Sequence, residues 1–596
     1  MKFKKSYFNL SILFLLSIGF LFNLYLMDSW NESHFTDSFN KDRLKSSWYL
    51  KWIDSGLPIW TGGGEYPGVL CYENQDKFFI WSDGDIYIKR MDGMTEHVKT
   101  IFLSDESGTQ RRPKQCSDDN LGSIICWEDE RTPANSFDIY MQKVNSSGDS
   151  VWLEDGIVIC SDSAFQRDAE ICKDGFGGAI IAWLDDRPGG MNTHIYAQRV
   201  NSTGHIQWDL NGKAICTAVG DKAHIQLLSD GNGGAFIVWA DRRNSNLDIF
   251  AQHINSEGIG QWTNNGVLIS GTTEMEQTPQ LCSDLNGGLF ITWDSTSNEV
   301  YAQRLNQTGD PQWTTDGVKV CISSGDKSSP KIISDDQGGA IITWREIRDP
   351  LYDEDIYAQR IDSNGMKQWT DNGTAICIAT GTQFSPVICS DGGGGAIITW
   401  SDLESEDIYG QRVNSEGITK WTEYGFYGYP ICIYGSDQYS PQICSDNEGG
   451  AVIVWYDSRS GGGLYAQKIK NSIPTSNHPN NVTANINADI SIGWRLTDDC
   501  GGGKYRVLQN GSLWIDWVPW SNYTSLNVPV NTSNIGISNY VIEFYDDQNQ
   551  YGLSDTVQIT IKPQIGTIGT PVGFYIITLA IVGIISVILM RRKLFK

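Results

Sequence analysis

Carboxylates recur in this sequence at one fixed offset, two residues after a tryptophan: Asp83, Asp129, Asp185, Asp241, Asp402 and Asp457. Glycoside hydrolysis needs a single pair of carboxylates at a defined separation. A residue repeated by symmetry is instead expected to accept hydrogen bonds in a turn. Arg131, Arg187, Arg243 and Arg459, two positions further on, are expected to pair with it. Residues that do not repeat are better candidates for a ligand site. Three segments read as loops leading into strands: Gln110-Arg111-Arg112-Pro113-Lys114, Phe165-Gln166-Arg167-Asp168 and Asp221-Lys222-Ala223-His224. A fourth variable loop carries Asp353, Glu354 and Asp355. Arg111, Arg112, Lys114, Arg167, Lys222 and His224 are the groups that can hold a carboxylate or sulfate. Asp353-Glu354-Asp355 and Asp118-Asp119-Asn120 offer oxygens of the kind Ca²⁺ takes, though neither has the spacing of an EF-hand loop. Seven scattered His give no zinc spacing, and no Gly-rich run between strand and helix suggests a phosphate cradle.

A repeat must position these residues. Ser445-Asp-Asn-Glu-Gly-Gly-Ala-Val-Ile-Val-Trp455-Tyr-Asp457 is echoed by Ser390-Asp-Gly-Gly-Gly-Gly-Ala-Ile-Ile-Thr-Trp400-Ser-Asp402. The tryptophan falls at 81, 127, 183, 239, 293, 344, 400 and 455, which makes eight units. In the seventh unit Ser385–Cys389, Ala396–Trp400 and Ile408–Asn414 read as strands, and Ile418–Trp421 as the opening of a fourth. Four antiparallel strands at this period predict an eight-bladed β-propeller, with seven blades as the alternative. Fourth-strand tryptophans stand at 152, 208, 262, 313, 369 and 421, and none follows Tyr465. Lys51-Trp52 upstream matches Lys420-Trp421, so an N-terminal strand is expected to complete the last blade and close the ring. Glu96–Leu103 stands in for the fourth strand of a degenerate first blade. Fifteen of the 22 Trp occupy these positions and are expected to be inter-blade core, not a carbohydrate platform.

The Gly-Gly-Ala-x-Ile-x-Trp…Asp-Ile-Tyr-Ala-Gln-Arg…Gln-Trp pattern over Lys51–Lys468 resembles a repeat of secreted prokaryotic (archaeal-type) propeller proteins. The resemblance implies architecture and no single activity. The Ser-Asp-x-x-Gly-Gly turn has components of the Ser-x-Asp-x-Gly-x-x-Trp box of sialidase-type propellers, but its spacing differs and does not support that family. After the repeat, short strand-like runs (Asp489–Trp494, Tyr505–Gln509, Ser512–Trp517, Ser525–Val528, Tyr540–Tyr545, Thr556–Ile561) predict an immunoglobulin-like β-sandwich. The run from Tyr540 to Ile561 resembles the end of immunoglobulin-like modules in archaeal and bacterial surface proteins.

The two ends read as membrane segments. Residues 1–27 are a signal peptide or signal anchor, 28–47 a linker, 48–470 the propeller and 471–563 the sandwich. A linker at 564–570 precedes an uncharged C-terminal transmembrane helix at 571–590 and a cytoplasmic basic tail at 591–596. The body is then extracellular, with Asn31, Asn145, Asn201, Asn306, Asn372, Asn481, Asn510, Asn522 and Asn531 as N-glycosylation acceptors. Of the 596 residues 45 are Lys or Arg and 71 Asp or Glu, a net charge of −26 that argues against nucleic acid as a partner. Twelve of the 13 cysteines lie in the repeat region, where they are expected to be small buried hydrophobes; Cys116 and Cys126 make the one expected cross-strand bridge. The whole reads as a membrane-anchored extracellular binding or adhesion protein displaying a propeller for protein or glycan recognition. The alternatives are a surface-anchored glycan-active hydrolase with its site at the channel mouth, or a structural envelope component.

Overall fold

The computed structural model describes residues 56–563 apart from short stretches at 73–75, 93–97, 105, 132–135, 188, 190–191, 349–352, 422–424, 426, 470–474, 478, 498–501, 522–524 and 547–553. The terminal segments read as signal and membrane helix lie outside the described residues. Within those residues no helix is long and apolar enough to cross a membrane.

Each repeat unit folds as a four-stranded antiparallel sheet resembling a propeller blade, and there are eight among the described residues. Sheet 1 comprises Glu65–Cys71, Lys77–Ser82, Ile86–Met91 and Val98–Ser104, so the degenerate first unit does supply a fourth strand. Sheet 8 is completed from the N-terminal side: Leu57–Trp60 pairs with Gly463–Ile469, as the missing fourth strand requires. The first strand of every sheet touches the first strands of its neighbours. Glu65–Cys71 also meets Gln438–Ser445 of sheet 8, and the first strands close around a central channel.

The repeated residues explain why the sheets stack. Trp127 is fully buried, and its indole N–H donates to Asp129 Oδ2 at 2.8 Å. Arg131 clasps the same carboxylate at 2.6 Å, donates to the Asp155 carbonyl and covers the Tyr140 ring at 3.9 Å. Gly156 lies against this tryptophan with φ +87, and a Cβ there would sit 2.5 Å from the ring, so only glycine fits. The same tryptophan–carboxylate pair recurs at Trp183–Asp185, Trp239–Asp241, Trp344–Glu346 and Trp455–Asp457. The repeated Asp is thus a structural acceptor. The half-buried outer tryptophans tie each sheet to the next: Trp152 donates to the Ser202 carbonyl, Trp208 to Ser256 and Trp369 to Ser415. That is inter-sheet packing, as expected.

Three strand details differ from the sequence reading. In sheet 7 the fourth strand is Tyr429–Cys432, whereas the segment after the turn makes only the isolated bridge Val413↔Thr419. The first strand is Gln383–Ser390, longer than read, because a β-bulge between Phe384 and Val387 carries the pairing past Pro386. The Cys116–Cys126 bridge is overturned. Lys114 opposes Cys126 and Cys116 opposes Ile124, so the two cysteines are out of register, and both are free. The disulfide found joins Cys71 to Cys444, and the other ten described cysteines are free thiols, nine of them buried.

Residues 475–562 form two further sheets. Thr475–Ser476, Ser491–Thr497 and Ser525–Pro529 make a three-stranded one. The other runs Val482–Asn485, Asp555–Lys562, Gly536–Asp546, Gly502–Gln509, Ser512–Ser521, its first pair parallel. Trp494, Tyr540 and Phe544 lie in one buried cluster drawn from both sheets.

Candidate functional site

Every first strand carries the same irregularity at its start. One non-glycine residue adopts left-handed backbone: Tyr66, Arg112, Asp168, His224, Thr278, Ser329, Ser385 and Ser440, with φ between +47 and +56. Each coincides with a register shift against the second strand. Left-handed geometry costs an L-residue about 1 kcal/mol, and eight repetitions at one position mark a constructed feature. A bulge re-aims the side chains around it. Arg111, Arg112, Lys114, Arg167, Lys222 and His224 therefore lie on bulged strands, not in loops as the sequence suggested. The bulge lets the ladder resume beyond Pro113, which cannot donate to it.

The structure brings four of these together and separates the rest. Arg111 pairs with Glu128 at 2.8 Å and lies over the Phe137 ring. Arg112 reaches Glu128 and, across to sheet 3, Asp168. Burial opposes the Arg112 charge, but Glu128, Tyr66 and Asp168 outweigh it and raise its pKa. Arg167 bridges Asp168 and Asp186, and Lys114 pairs with Glu170 at 2.7 Å. Their charges are met by carboxylates of the same ring. Lys222 is buried in sheet 4 and donates to the Ala218 and Gly220 carbonyls, which makes it a support for the strand entry. His224 is exposed beside it. Glu354 and Asp355 open the third strand of sheet 6 and Asp353 immediately precedes it: Asp353 accepts the Gly381 N–H and Glu354 pairs with Arg345 at 2.8 Å. Asp118 accepts the Asn120 and Gly122 N–H groups and pairs with Lys143, so it caps a turn. Among the described residues no group of three or more His, Cys, Asp or Glu is placed to hold a metal.

A cavity of about 960 Å³ opens where the repeat is least regular, between sheets 8, 1 and 2. It is lined by Glu65, Tyr66, Gly68, Asp83, Arg111, Lys114, Tyr439, Gln442 and Tyr456, among others. Tyr66 and Tyr439 are 44% and 40% exposed, large aromatic faces left open to solvent. Tyr439 packs on Tyr456 with ring centroids 4.7 Å apart. Sheet 1 supplies the room: Gly64 immediately precedes its entry strand and Gly68 stands on it, and a Cβ at Gly68 would sit 2.9 Å from Ile80. It also frees a carboxylate. Asp83 holds the repeated Asp position, yet no arginine stands two residues on and the Trp81 indole N–H makes no bond to it. Asp83 is exposed and lines the cavity instead. Sequence reasoning missed Glu65, Tyr66, Asp83, Tyr439 and Tyr456 as site residues. The signal that could have found them is the departure of the first unit from its own repeat.

No family model and no curated protein matches the chain. Among solved structures it is similar to the ulvan lyase of polysaccharide lyase family 25, with 9% identity over 71% of this chain and 96% of that one, at a TM-score of 0.40. It is also similar to the Penicillium chrysogenum α-L-arabinanase complexed with arabinobiose, with 12% identity over 70% and 98% of the two chains and a TM-score of 0.30. A third is an endo-arabinase from Bacteroides thetaiotaomicron, with 13% identity over 40% and 92% and a TM-score of 0.28. Likeness this loose bears on neither substrate nor reaction.

Proposed function

We propose that this chain is a membrane-anchored extracellular protein that recognises a glycan at the cavity between sheets 8, 1 and 2. In this reading the eight sheets are an eight-bladed β-propeller and residues 471–563 an immunoglobulin-like module carrying it above the membrane. The observation that supports it is the pairing of open tyrosine faces, Tyr66 and Tyr439, with Glu65, Asp83, Arg111 and Lys114 around one concavity. Sugars present apolar C–H faces that stack on aromatic rings and hydroxyl edges that bond to charged and amide groups, and such mixed concave linings suit them.

The experiment is binding of the purified full-length chain to a panel of oligosaccharides, followed by calorimetry on the hits. Tyr66→Ala and Tyr439→Ala are each expected to weaken binding about tenfold, the loss of one stacking face. Unchanged affinity in both variants would defeat the assignment of this cavity. A second reading, a glycan-active ectoenzyme, draws on the two carboxylates Glu65 and Asp83 in the same lining. Turnover of a bound glycan, lost in Asp83→Asn while binding persists, would decide for the enzyme.

A further inference from the structure

The residue two positions after each left-handed bulge occupies one register position in all eight first strands. These are Gly68, Lys114, Glu170, Gln226, Gln280, Lys331, Val387 and Gln442. They form a belt around the channel, and Gly68, Lys114 and Gln442 of that belt also line the cavity. Its charges are two ammoniums and one carboxylate. Lys114 in sheet 2 pairs with Glu170 of sheet 3 at 2.7 Å. Lys331 stands in sheet 6, half a ring away, and its ammonium donates to Gln280 Oε1 at 3.2 Å. Among the described residues Lys331 has no carboxylate partner. Gln226, Gln280 and Gln442 each spend one of their two amide N–H donors on the carbonyl of the preceding residue, and being neutral they add no charge to the belt. The belt thus keeps one uncompensated positive charge inside a strongly acidic molecule.

We infer that this belt receives an anionic group, a sulfate ester or carboxylate, between Lys331 and Lys114, reached from the cavity past Gly68. The inference rests on the proposed glycan site and narrows its ligand to acidic glycans: a ring stacked on Tyr66 or Tyr439 and its acidic substituent in the belt. A cation enclosed with a like charge nearby is costly unless an anion joins it. Burial, and then Lys114, push the Lys331 ammonium below its ordinary pKa, with Glu170 acting the other way. Glu170 holds Lys114 above its own. Lys331, held by the Gln280 amide oxygen and by no carboxylate, is therefore the cation of the belt open to an anion.

The test uses inorganic sulfate as the probe, titrated calorimetrically into the full-length chain at constant ionic strength, with Lys331→Gln and Lys331→Arg beside it. Sulfate is expected to bind the wild type and Lys331→Arg and to bind Lys331→Gln at least tenfold more weakly. Thermal unfolding of each variant without sulfate shows that the fold is kept. Equal sulfate binding by wild type and Lys331→Gln, or none by the wild type, overturns the belt. A second arm compares a sulfated or uronate-bearing oligosaccharide with its neutral counterpart. Sulfate binding without any glycan binding keeps the belt and overturns the glycan reading. Glycan binding indifferent to the acidic group keeps the glycan reading and overturns the belt.

Discussion

Replacing both Cys71 and Cys444 with alanine is expected to lower the unfolding free energy by about 2–4 kcal/mol. The bond links first strands of sheets 1 and 8 across 373 residues of sequence, so it holds the two ends of the repeat array together. A cross-link over so long a loop removes more freedom from the unfolded chain than any bridge within one sheet would. It does not act alone. Leu57–Trp60 sits in sheet 8, and Phe79, Trp81 and Tyr87 of sheet 1 share a buried cluster with Val452, Val454 and Leu464 of sheet 8. The seam has a covalent, a hydrogen-bonded and an apolar closure, and alanine removes only the first. Dithiothreitol makes the result specific. It should lower the unfolding midpoint of the wild type by as much as the double substitution does and leave the variant unmoved, because the other described cysteines are already thiols. Identical midpoints for wild type and variant without reductant would show that the bond contributes nothing to the seam.

That disulfide also shows where sequence reasoning reached its limit. The tryptophan spacing made the sheets legible, because a large rigid side chain must recur wherever one sheet is laid on the next. Counting fourth strands even required a strand from the N-terminal side, which Leu57–Trp60 supplies. The cysteine partner was not legible, since Cys71 and Cys444 meet only once the first and last units are neighbours. A search for a partner within one unit found Cys126, which the register places opposite Lys114. The same limit applied to the basic candidates. Arg112 and Asp168, like Lys114 and Glu170, are 56 residues apart, one repeat length. Opposite charges at the same phase of adjacent units were the available sign that these cations are matched. The bulges were hidden because Pro in the entry segment reads as loop, while left-handed backbone at Arg112 or Ser385 lets the strand pass through it. The cavity is visible only as a deviation: Asp83 keeps the repeat's carboxylate in a unit that has lost the arginine.

A second deviation predicts a change in stability with pH. At the entry of the first strand, Gln110, Gln166, Gln383 and Gln438 donate their side-chain N–H to backbone carbonyls two and four residues back, and Lys222 and Lys327 do the same. Sheet 5 has Glu276 there, a carboxylate with no proton to donate when ionised. Asn246 takes over the two carbonyls, of Thr272 and Glu274. Glu276 accepts instead from Ser270 at 2.5 Å and Thr272 at 3.2 Å, and Ser270 stands where most units have cysteine. These two hydroxyls do not compensate for burial, which together with Asp248 and Asp316 raises the carboxyl to about 7. A native pKa above the unfolded one means that the folded protein binds the extra proton. This group's contribution to stability is therefore full at acid pH, falls as pH climbs from about 4.5 to about 7, and stays low above that. Glu276→Gln restores the residue the other sheets prefer and removes the buried charge. It is expected to raise stability by about 2–3 kcal/mol at pH 8 and to do little at pH 4.5. Denaturant unfolding at the two pH values measures this directly. Some pH dependence remains in the variant, because burial also lifts Asp407 to about 7. A gain of equal size at both pH values would show that packing, and not the carboxylate's charge, distinguishes Glu276 from the glutamines at the same place in sheets 2, 3, 7 and 8.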